Sequence, residues 1–187
     1  MNTALIVIDV QESFRQREAW AHIDTPDIAD KIARLVDHAR SAGNEVVWVL
    51  HAEPGSGDVF DPELGHVRLL PGLKPEPGEP TVTKTSHNAF TTTNLGQLLV
   101  ERGVTEVVIT GIRTEQCCET TARLASDLGY DVRFVLDATA TDPLPLWDGS
   151  GTLTPAQVKE RTASALQGRF AEVVTIEQLM RSGPDHE

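Results

Sequence analysis

Residues 105–136 have the sequence TEVVITGIRTEQCCETTARLASDLGYDVRFVL, and this segment decides the fold. Its apolar run 107–110 is short and β-branched, which is typical of a strand buried on both faces of a parallel sheet. A helical pattern over 116–128 follows and ends before Gly129, and glycine at that place favours a helix C-cap. The second apolar run, 132–136, predicts another strand. The segment therefore predicts a strand–helix–strand unit with two parallel strands.

The same alternation of strand and helix extends over the rest of the chain. Apolar runs predict further strands at 5–10, 46–50 and 173–176, with a weaker one at 81–83. Helical patterns cover 26–42, 95–101 and 155–167, each followed within two residues by a glycine. Right-handed crossovers between such strands place helices on both faces of one sheet. We therefore predict an α/β fold, Rossmann-like with three α/β/α layers and a mostly parallel sheet of about six strands, in a single domain over residues 1–187.

The composition narrows the class of protein. The chain has 187 residues, enough to bury a substantial core without disulfides or structural metals. Its two cysteines, Cys117 and Cys118, are adjacent and poorly placed for an ordinary bridge with each other, which excludes a disulfide scaffold. The first ten residues contain one short apolar run with no basic leader, and we expect a strand there instead of a signal peptide. A soluble cytoplasmic protein with reduced thiols is the expectation.

The net charge argues against a nucleic-acid partner, and the lengths of the apolar runs argue against a membrane partner. The formal net charge is −12 at pH 7, which repels polyanions and leaves no basic footprint for a phosphate backbone. No stretch approaches the roughly 20 apolar residues that a membrane span needs. We expect no nucleic-acid partner and no membrane partner.

Two long segments interrupt the alternation of strands and helices. Residues 52–80 are rich in Gly and Pro, and residues 141–154 include DPLPLWDGSG. We predict that both are surface loops. Open parallel sheets bind ligands at the carboxyl ends of their strands, so we expect these loops to determine which substrate binds.

Three polar residues stand at or just beyond the carboxyl ends of predicted strands: Asp9, Lys84 and Cys117. Asp9 lies within the apolar run LIVIDVQ, where a buried carboxylate requires a partner. Taken singly, each has an ordinary structural explanation, since Asp9 could cap a turn, Lys84 could be solvated and Cys117 could be a small core residue. Together at one switch point, they are candidates for a catalytic site.

Cys117 has the strongest local argument of the three. The predicted helix begins at residue 116, so Cys117 lies in its first turn, where the helix dipole stabilises a thiolate. The free N–H groups of the same turn are the usual material of an oxyanion hole. Cys118 points roughly 100° away on the helix and is expected in the core.

Four segments of the chain resemble the isochorismatase-like cysteine hydrolases, a group that includes nicotinamidases, N-carbamoylsarcosine amidases and ureidoacrylate amidohydrolases. They are ALIVIDVQESF, TVTKTSHNAF, VVITGIRTEQCCETTARLASDLGYDV and VLDATA. The resemblance implies that Asp9 is the general base, Lys84 the cation and Cys117 the nucleophile of a catalytic triad. It also implies a cis peptide between Ile112 and Arg113, and an oxyanion hole formed by the backbone N–H groups of Arg113 and Cys117.

The resemblance implies the reaction as well. A small amide-like C–N bond, in a carboxamide, ureido, carbamoyl or lactam group, is hydrolysed through a thioacyl-enzyme, without a cofactor. The substrate is a small molecule and the assembly a homodimer or homotetramer. Phe14, Phe90, Gln116 and Trp147 are the candidate substrate-binding residues; His87 and the Arg113 side chain are further candidates for specificity.

Three alternatives remain open from the sequence. Metal-dependent relatives carry an Asp-x-His pair after the second strand, but this chain has His51 and Glu53 there, with His66 further on, so we predict no metal site. A vinyl ether hydrolase acting on isochorismate is a second possibility, although that reaction has no evident need for the thiol of Cys117. The third is a non-catalytic protein of the same fold that binds a small molecule.

Overall fold

The computed structural model describes residues 2–181, and a six-stranded parallel sheet forms their centre. The strands are β1 Thr3–Ile8, β2 Glu45–His51, β3 Thr81–Lys84, β4 Glu106–Ile112, β5 Asp131–Ala140, β6 Leu144–Pro145, β7 Thr152–Leu153 and β8 Glu172–Val174. The strands of the sheet lie in the order β3-β2-β1-β4-β5-β8, and β6 and β7 form a separate antiparallel pair.

Helices cover both faces of the sheet. They are α1 Glu12–Arg15, α2 Ile28–Ser41, α3 Leu95–Glu101, α4 Glu119–Asp127, α5 Pro155–Leu166 and α6 Ile176–Arg181, with 3₁₀ turns at Glu18–His22 and Pro62–Leu64. Leu5 and Val7 of β1 share one core with α2 and α6, whereas Ile6 and Ile8 share the other with α3 and α4. This alternation follows from the two-residue period of a strand. The predicted three-layer α/β/α fold is confirmed.

The strand order creates a switch point between β1 and β4. From β1 the chain builds outward through β2 to β3, then returns to place β4 on the other side of β1. Ile8 of β1 pairs with Gly111 of β4 near the carboxyl ends of both strands. A Cβ at Gly111 would lie 1.9 Å from the carbonyl oxygen of Ile8, and φ of Gly111 is +129°. Only glycine permits this close approach of the two backbones.

Several predicted boundaries are corrected by the structure. The first predicted strand, 5–10, ends at Ile8 because Asp9 has a left-handed φ of 53°. The last predicted strand, 173–176, ends at Val174, and Ile176 instead begins α6, whose apolar residues cover the sheet. The predicted loop 141–154 contains the short β6–β7 pair.

The helix after β4 starts later than predicted. Residues Thr114–Cys118 form a π-helical turn, because the N–H of Cys118 donates to the carbonyl of Arg113 over 3.1 Å. The α-helix α4 begins only at Glu119, where a helix had been predicted from residue 116. Residue 1 and residues 182–187 of the predicted domain lie outside the part of the chain that the structure describes.

Candidate active site

Asp9 is the first residue beyond β1 and is fully buried. Its left-handed backbone turns the chain away from the sheet, while its N–H still donates to the carbonyl of Val49 over 2.9 Å. Asp tolerates this conformation better than most residues. The turn therefore holds the carboxylate at the switch point of the sheet.

Lys84 joins Asp9 to Cys117. It is the last residue of the edge strand β3, and its side chain is fully buried. Its Nζ lies 2.7 Å from Asp9 Oδ2 and 3.4 Å from Cys117 Sγ. The three residues selected from the sequence are thus brought together, although 108 positions separate Asp9 from Cys117 in the chain.

Cys117 lies in the π-helical turn and is 7% exposed, whereas Cys118 is fully buried in the core. A π-helical turn is wider than an α-helical one and is common at functional sites. Thr121 Oγ1 donates to the carbonyl of Cys117 over 2.6 Å, which fixes the backbone beneath the thiol. The thiol is therefore held at the edge of the core beside Lys84.

The pKa values of the three groups shift in ways that depend on one another. Burial raises the pKa of the Asp9 carboxyl, although the charge of Lys84 opposes this. Burial lowers the pKa of Lys84, but the charges of Asp9 and Cys117 outweigh it and raise the pKa above its ordinary value. Burial and then the charge of Asp9 raise the pKa of Cys117 to about 12. These shifts favour a protonated thiol in the free site, beside a charged Lys84.

This result corrects the expectation of a thiolate stabilised by a helix N-terminus. The α-helix begins after Cys117, and the negative charge of Asp9 disfavours a second negative charge beside it. Proton transfer from Cys117 to Asp9 would remove that conflict. The sequence could not reveal this, because Asp9 and Cys117 meet only in the folded chain.

The peptide bond between Ile112 and Arg113 is cis, which confirms the bond implied by the resemblance. It lies between β4 and the π-helical turn. Within this turn the N–H groups of Gln116 and Cys118 donate to the carbonyl of Arg113. The N–H groups of Arg113 and Cys117 remain the predicted oxyanion hole.

His51 is a site residue that the sequence analysis considered only as a metal ligand. It ends β2 and is paired in register with Lys84 of β3. Its Nδ1 lies 3.2 Å from Lys84 Nζ, and its Nε2 lies 3.2 Å from Glu53 Oε1. In the sequence, His51 and Lys84 each follow directly after a predicted strand, 46–50 and 81–83, but only the structure shows that these strands are neighbours. Among residues 2–181 no cluster of three metal-ligating side chains is present.

The candidate substrate-binding residues differ in where they lie. Phe14 packs edge-on against Phe60 with ring centroids 5.0 Å apart, and Phe60 in turn contacts the ring of His51 at 5.5 Å. The ring of Phe60 therefore contacts both Phe14 and His51, which links Phe14 to the site. Gln116 is half-buried in the turn directly before Cys117.

Phe90 and Trp147 have different surroundings in the structure. The ring of Phe90 stacks on Tyr130 at 6.2 Å, within the layer that packs α3 and α4 on the sheet. Trp147 lies between β6 and β7 and is 96% exposed. His87 is also exposed. Their roles in substrate binding stay predictions.

A small pocket lies beside the cis peptide. Phe14, Trp20, Ile112 and Arg113 are among its lining residues. The Arg113 guanidinium forms an ion pair with Asp142 and lies 3.6 Å from Glu115 Oε1. Apolar rings and a held charged group converge here, but the volume of about 10 Å³ has room for only about one water molecule.

Comparisons with known proteins show the family and support the fold. The family described as Isochorismatase domain matches residues 3–178. Streptothricin hydrolase of Streptomyces noursei is 36% identical over 176 residues, covering 91% of this chain and 67% of that protein. Nicotinamidase 3 of Arabidopsis thaliana is 31% identical over 195 aligned residues, covering 96% of this chain and 87% of that protein. The crystal structure of a cysteine hydrolase from Pseudomonas syringae pv. phaseolicola 1448A superposes with a TM-score of 0.87 at 27% identity, covering 96% of this chain and 91% of that one.

Proposed function

This chain belongs to the isochorismatase family of hydrolases, and we propose that it hydrolyses a small amide-like C–N bond with Cys117 as nucleophile. One observation carries the proposal: a buried lysine lies 2.7 Å from a carboxylate oxygen and 3.4 Å from a cysteine sulfur. The names of two similar proteins, a nicotinamidase and a cysteine hydrolase, support the bond class and the nucleophile.

In the first half-reaction, Asp9 takes the proton of the Cys117 thiol. The negative charge then moves from Asp9 to the sulfur, and Lys84 remains paired with it, so the net charge of the buried site does not change. The sulfur attacks the carbonyl carbon and the C–N bond breaks. The proton on Asp9 goes to the leaving nitrogen, which departs as ammonia or an amine.

In the second half-reaction, water hydrolyses the thioester. Asp9, again a carboxylate, takes a proton from the water as its oxygen attacks the thioacyl carbon. The C–S bond breaks, the acid product leaves, and the proton returns to the sulfur. In both steps the oxyanion accepts hydrogen bonds from the backbone N–H groups of Arg113 and Cys117.

The bond itself belongs to a carboxamide, ureido, carbamoyl or lactam group, since each has a carbonyl carbon that a thiolate attacks.

A substrate panel tests the proposal. Purified protein is incubated with nicotinamide, N-carbamoyl compounds, biuret and cyclic amides, and the release of ammonia, amine or carboxylate is measured. We expect turnover of at least one of these. Hydrolysis of isochorismate with no turnover of any amide would contradict the proposal and favour a vinyl ether hydrolase.

We further propose that the protein acts in the cytoplasm as a homodimer or homotetramer and uses no cofactor. The base, cation and nucleophile of the mechanism are all side chains of this chain, so chelators should leave turnover unchanged.

Exposed Trp147 is the candidate contact through which a neighbouring subunit would meet the loop 141–154. Sedimentation of the purified protein and of Trp147→Ser measures the assembly. Among residues 2–181, no helix is long and apolar enough to cross a bilayer.

A further inference from the structure

The ammonium of Lys84 has three N–H bonds and three acceptors around it. Asp9 Oδ2 lies at 2.7 Å, Cys117 Sγ at 3.4 Å and His51 Nδ1 at 3.2 Å. The side chain is fully buried, so water does not compete for these donors. Three acceptors therefore surround the three N–H bonds, and His51 supplies one of them.

The position of Lys84 defines the tautomer of His51. An ammonium only donates, so His51 Nδ1 must carry a lone pair. The ring proton then lies on Nε2, which points at Glu53 Oε1 over 3.2 Å. Burial, and next the charge of Lys84, lower the pKa of His51, which keeps the ring neutral. Glu53 thus stabilises the tautomer that accepts from Lys84.

His51 is itself held firmly. The side-chain amide of buried Gln11 accepts from the His51 N–H over 2.7 Å and donates to the His51 carbonyl over 2.9 Å. The ring of Phe60 packs against the imidazole at 5.5 Å. Gln11 and Phe60 therefore fix the backbone and ring of His51 relative to β1.

We infer that His51 and Glu53 are positioning residues that aim the ammonium of Lys84 at Asp9 and Cys117. The chain of contacts runs from Glu53 through His51 to Lys84, and from Lys84 to both reacting groups. Without an acceptor at Nδ1, the ammonium rotates toward whatever acceptor remains, and its alignment with the sulfur is lost. This inference rests on the proposed function, because it assigns the residues a role in the same site.

Paired variants of His51 separate positioning from packing. Asn carries an oxygen close to the place of Nδ1, so His51→Asn keeps an acceptor for Lys84, whereas His51→Leu removes it at similar bulk. We expect His51→Leu to lower kcat about 10- to 100-fold with little change in KM, and His51→Asn to restore most of that loss. Exposed His22, changed to Leu, is the matched control and should leave kcat unchanged.

Glu53 gives a second pair of variants, which stays informative if His51→Leu fails to fold. Glu53→Gln keeps an oxygen that accepts from Nε2–H, and Glu53→Ala removes it. We expect Glu53→Ala to lower kcat and Glu53→Gln to stay within about threefold of the original protein. Equal activity of Glu53→Ala and the original protein would contradict the role of Glu53.

Two measurements do not need the substrate. Nitrogen-15 NMR of the histidine rings, assigned with His51→Asn, should show the proton of His51 on Nε2 and a lone pair on Nδ1. The rate at which iodoacetamide alkylates Cys117 should fall in His51→Leu and recover in His51→Asn, because the thiolate has lost and regained its aligned cation. A protonated Nδ1, or alkylation in His51→Leu at the original rate, would overturn the inference.

These outcomes are distinguishable from a failure of the proposed function. If no amide is hydrolysed but the tautomer and the alkylation rates are as expected, the proposed function is wrong and the positioning role stands. If Cys117→Ala abolishes amide turnover but His51→Leu is unaffected in kcat and in alkylation, only the positioning role is wrong.

Discussion

In the proposed mechanism, Lys84 allows a buried carboxylate and a buried thiol to share one negative charge. With the thiol protonated, the charge lies on Asp9; after proton transfer it lies on Cys117, and the lysine lies within hydrogen-bond distance of both. The raised pKa of Asp9 makes it a better acceptor for that proton, and the raised pKa of Lys84 keeps the cation charged. A buried site of this kind avoids the cost of an unpaired charge at each step.

Asp9→Asn separates the base from the cation. The amide cannot accept a proton, so turnover should fall about 100- to 10,000-fold, which is the usual contribution of general acid–base catalysis to a rate. The pKa of Cys117 should also fall below its value of about 12, because the repulsion from Asp9 is gone while Lys84 remains. Turnover assays and the ultraviolet absorbance of the thiolate against pH measure the two effects.

The lower turnover and the lower pKa of Cys117 together distinguish two possible roles of Asp9. A variant that ionises its cysteine more readily and yet turns over more slowly identifies Asp9 as the group that transfers protons in the reaction, and not as a stabiliser of the thiolate. Retention of the original turnover by Asp9→Asn would mean that Asp9 is structural.

At the level of the elements, the carboxyl ends of β1 and β4 must approach closely for Asp9 and Cys117 to meet. Gly111 is where this approach is tightest, one residue before the cis peptide. The π-helical turn then places Cys117 before the helix and not within it. Strand contact and widened turn together determine the position of the sulfur.

Gly111→Ala should disrupt this contact. The added Cβ would overlap the carbonyl of Ile8, and alanine is disfavoured at a φ of +129°. We expect the free energy of unfolding to drop by more than about 4 kcal/mol, or the chain to fail to fold. Chemical denaturation monitored by tryptophan fluorescence measures the change.

Gly129→Ala is the control for the backbone effect alone. Gly129 also has a positive φ, of +92°, but its added Cβ would have no heavy atom within 4 Å. We expect a loss of about 1–2 kcal/mol. If both variants lose the same amount, the strand contact at Gly111 is not the cause.

The regular elements were predictable because their signals are local. The predicted helix 95–101 coincides with α3, and the predicted helix 155–167 ends within one residue of the end of α5. The capping box of α5 is formed by Thr154 and Gln157, which are close together in the sequence. The end of β1 at Ile8 and the π-helical turn were not predictable, since both depend on where Asp9 and Cys118 find partners in the folded chain.

The same distinction holds for the site. Asp9, Lys84 and Cys117 could be selected because each follows an apolar run at the same edge of a parallel sheet. The link from Lys84 to His51 could not, because a single histidine after a strand has many possible roles. The exposure of Trp147 also depends on the β6–β7 pair, which is too short to leave a periodic signal.

For the molecule as a whole, the buried triad couples stability to pH. Folding raises the pKa of Asp9 above 3.8, so the folded state binds this proton more tightly than the unfolded state. The stability that this proton contributes is complete below about pH 3.8 and is lost as pH rises through the folded pKa. The buried carboxylate thus favours folding less at neutral pH than at acidic pH.

Comparison with Asp9→Asn isolates this term, because the amide does not titrate. As pH rises above about 4, the unfolding free energy of the original protein minus that of Asp9→Asn should fall, by at most about 1.4 kcal/mol per pH unit. Urea denaturation across this range provides both values. A difference that grows with pH would show that Lys84 outweighs burial and lowers the pKa of Asp9.

Amide turnover by purified Cys117→Ala, beside Cys118→Ala as the matched control, tests the central claim most directly. Both changes remove a sulfur from a buried position, but only Cys117 contacts Lys84. On the best substrate from the panel, we expect Cys117→Ala to lose at least about 1,000-fold in kcat while Cys118→Ala keeps most of its activity. Product release by folded Cys117→Ala at the original rate would contradict a cysteine nucleophile in this protein.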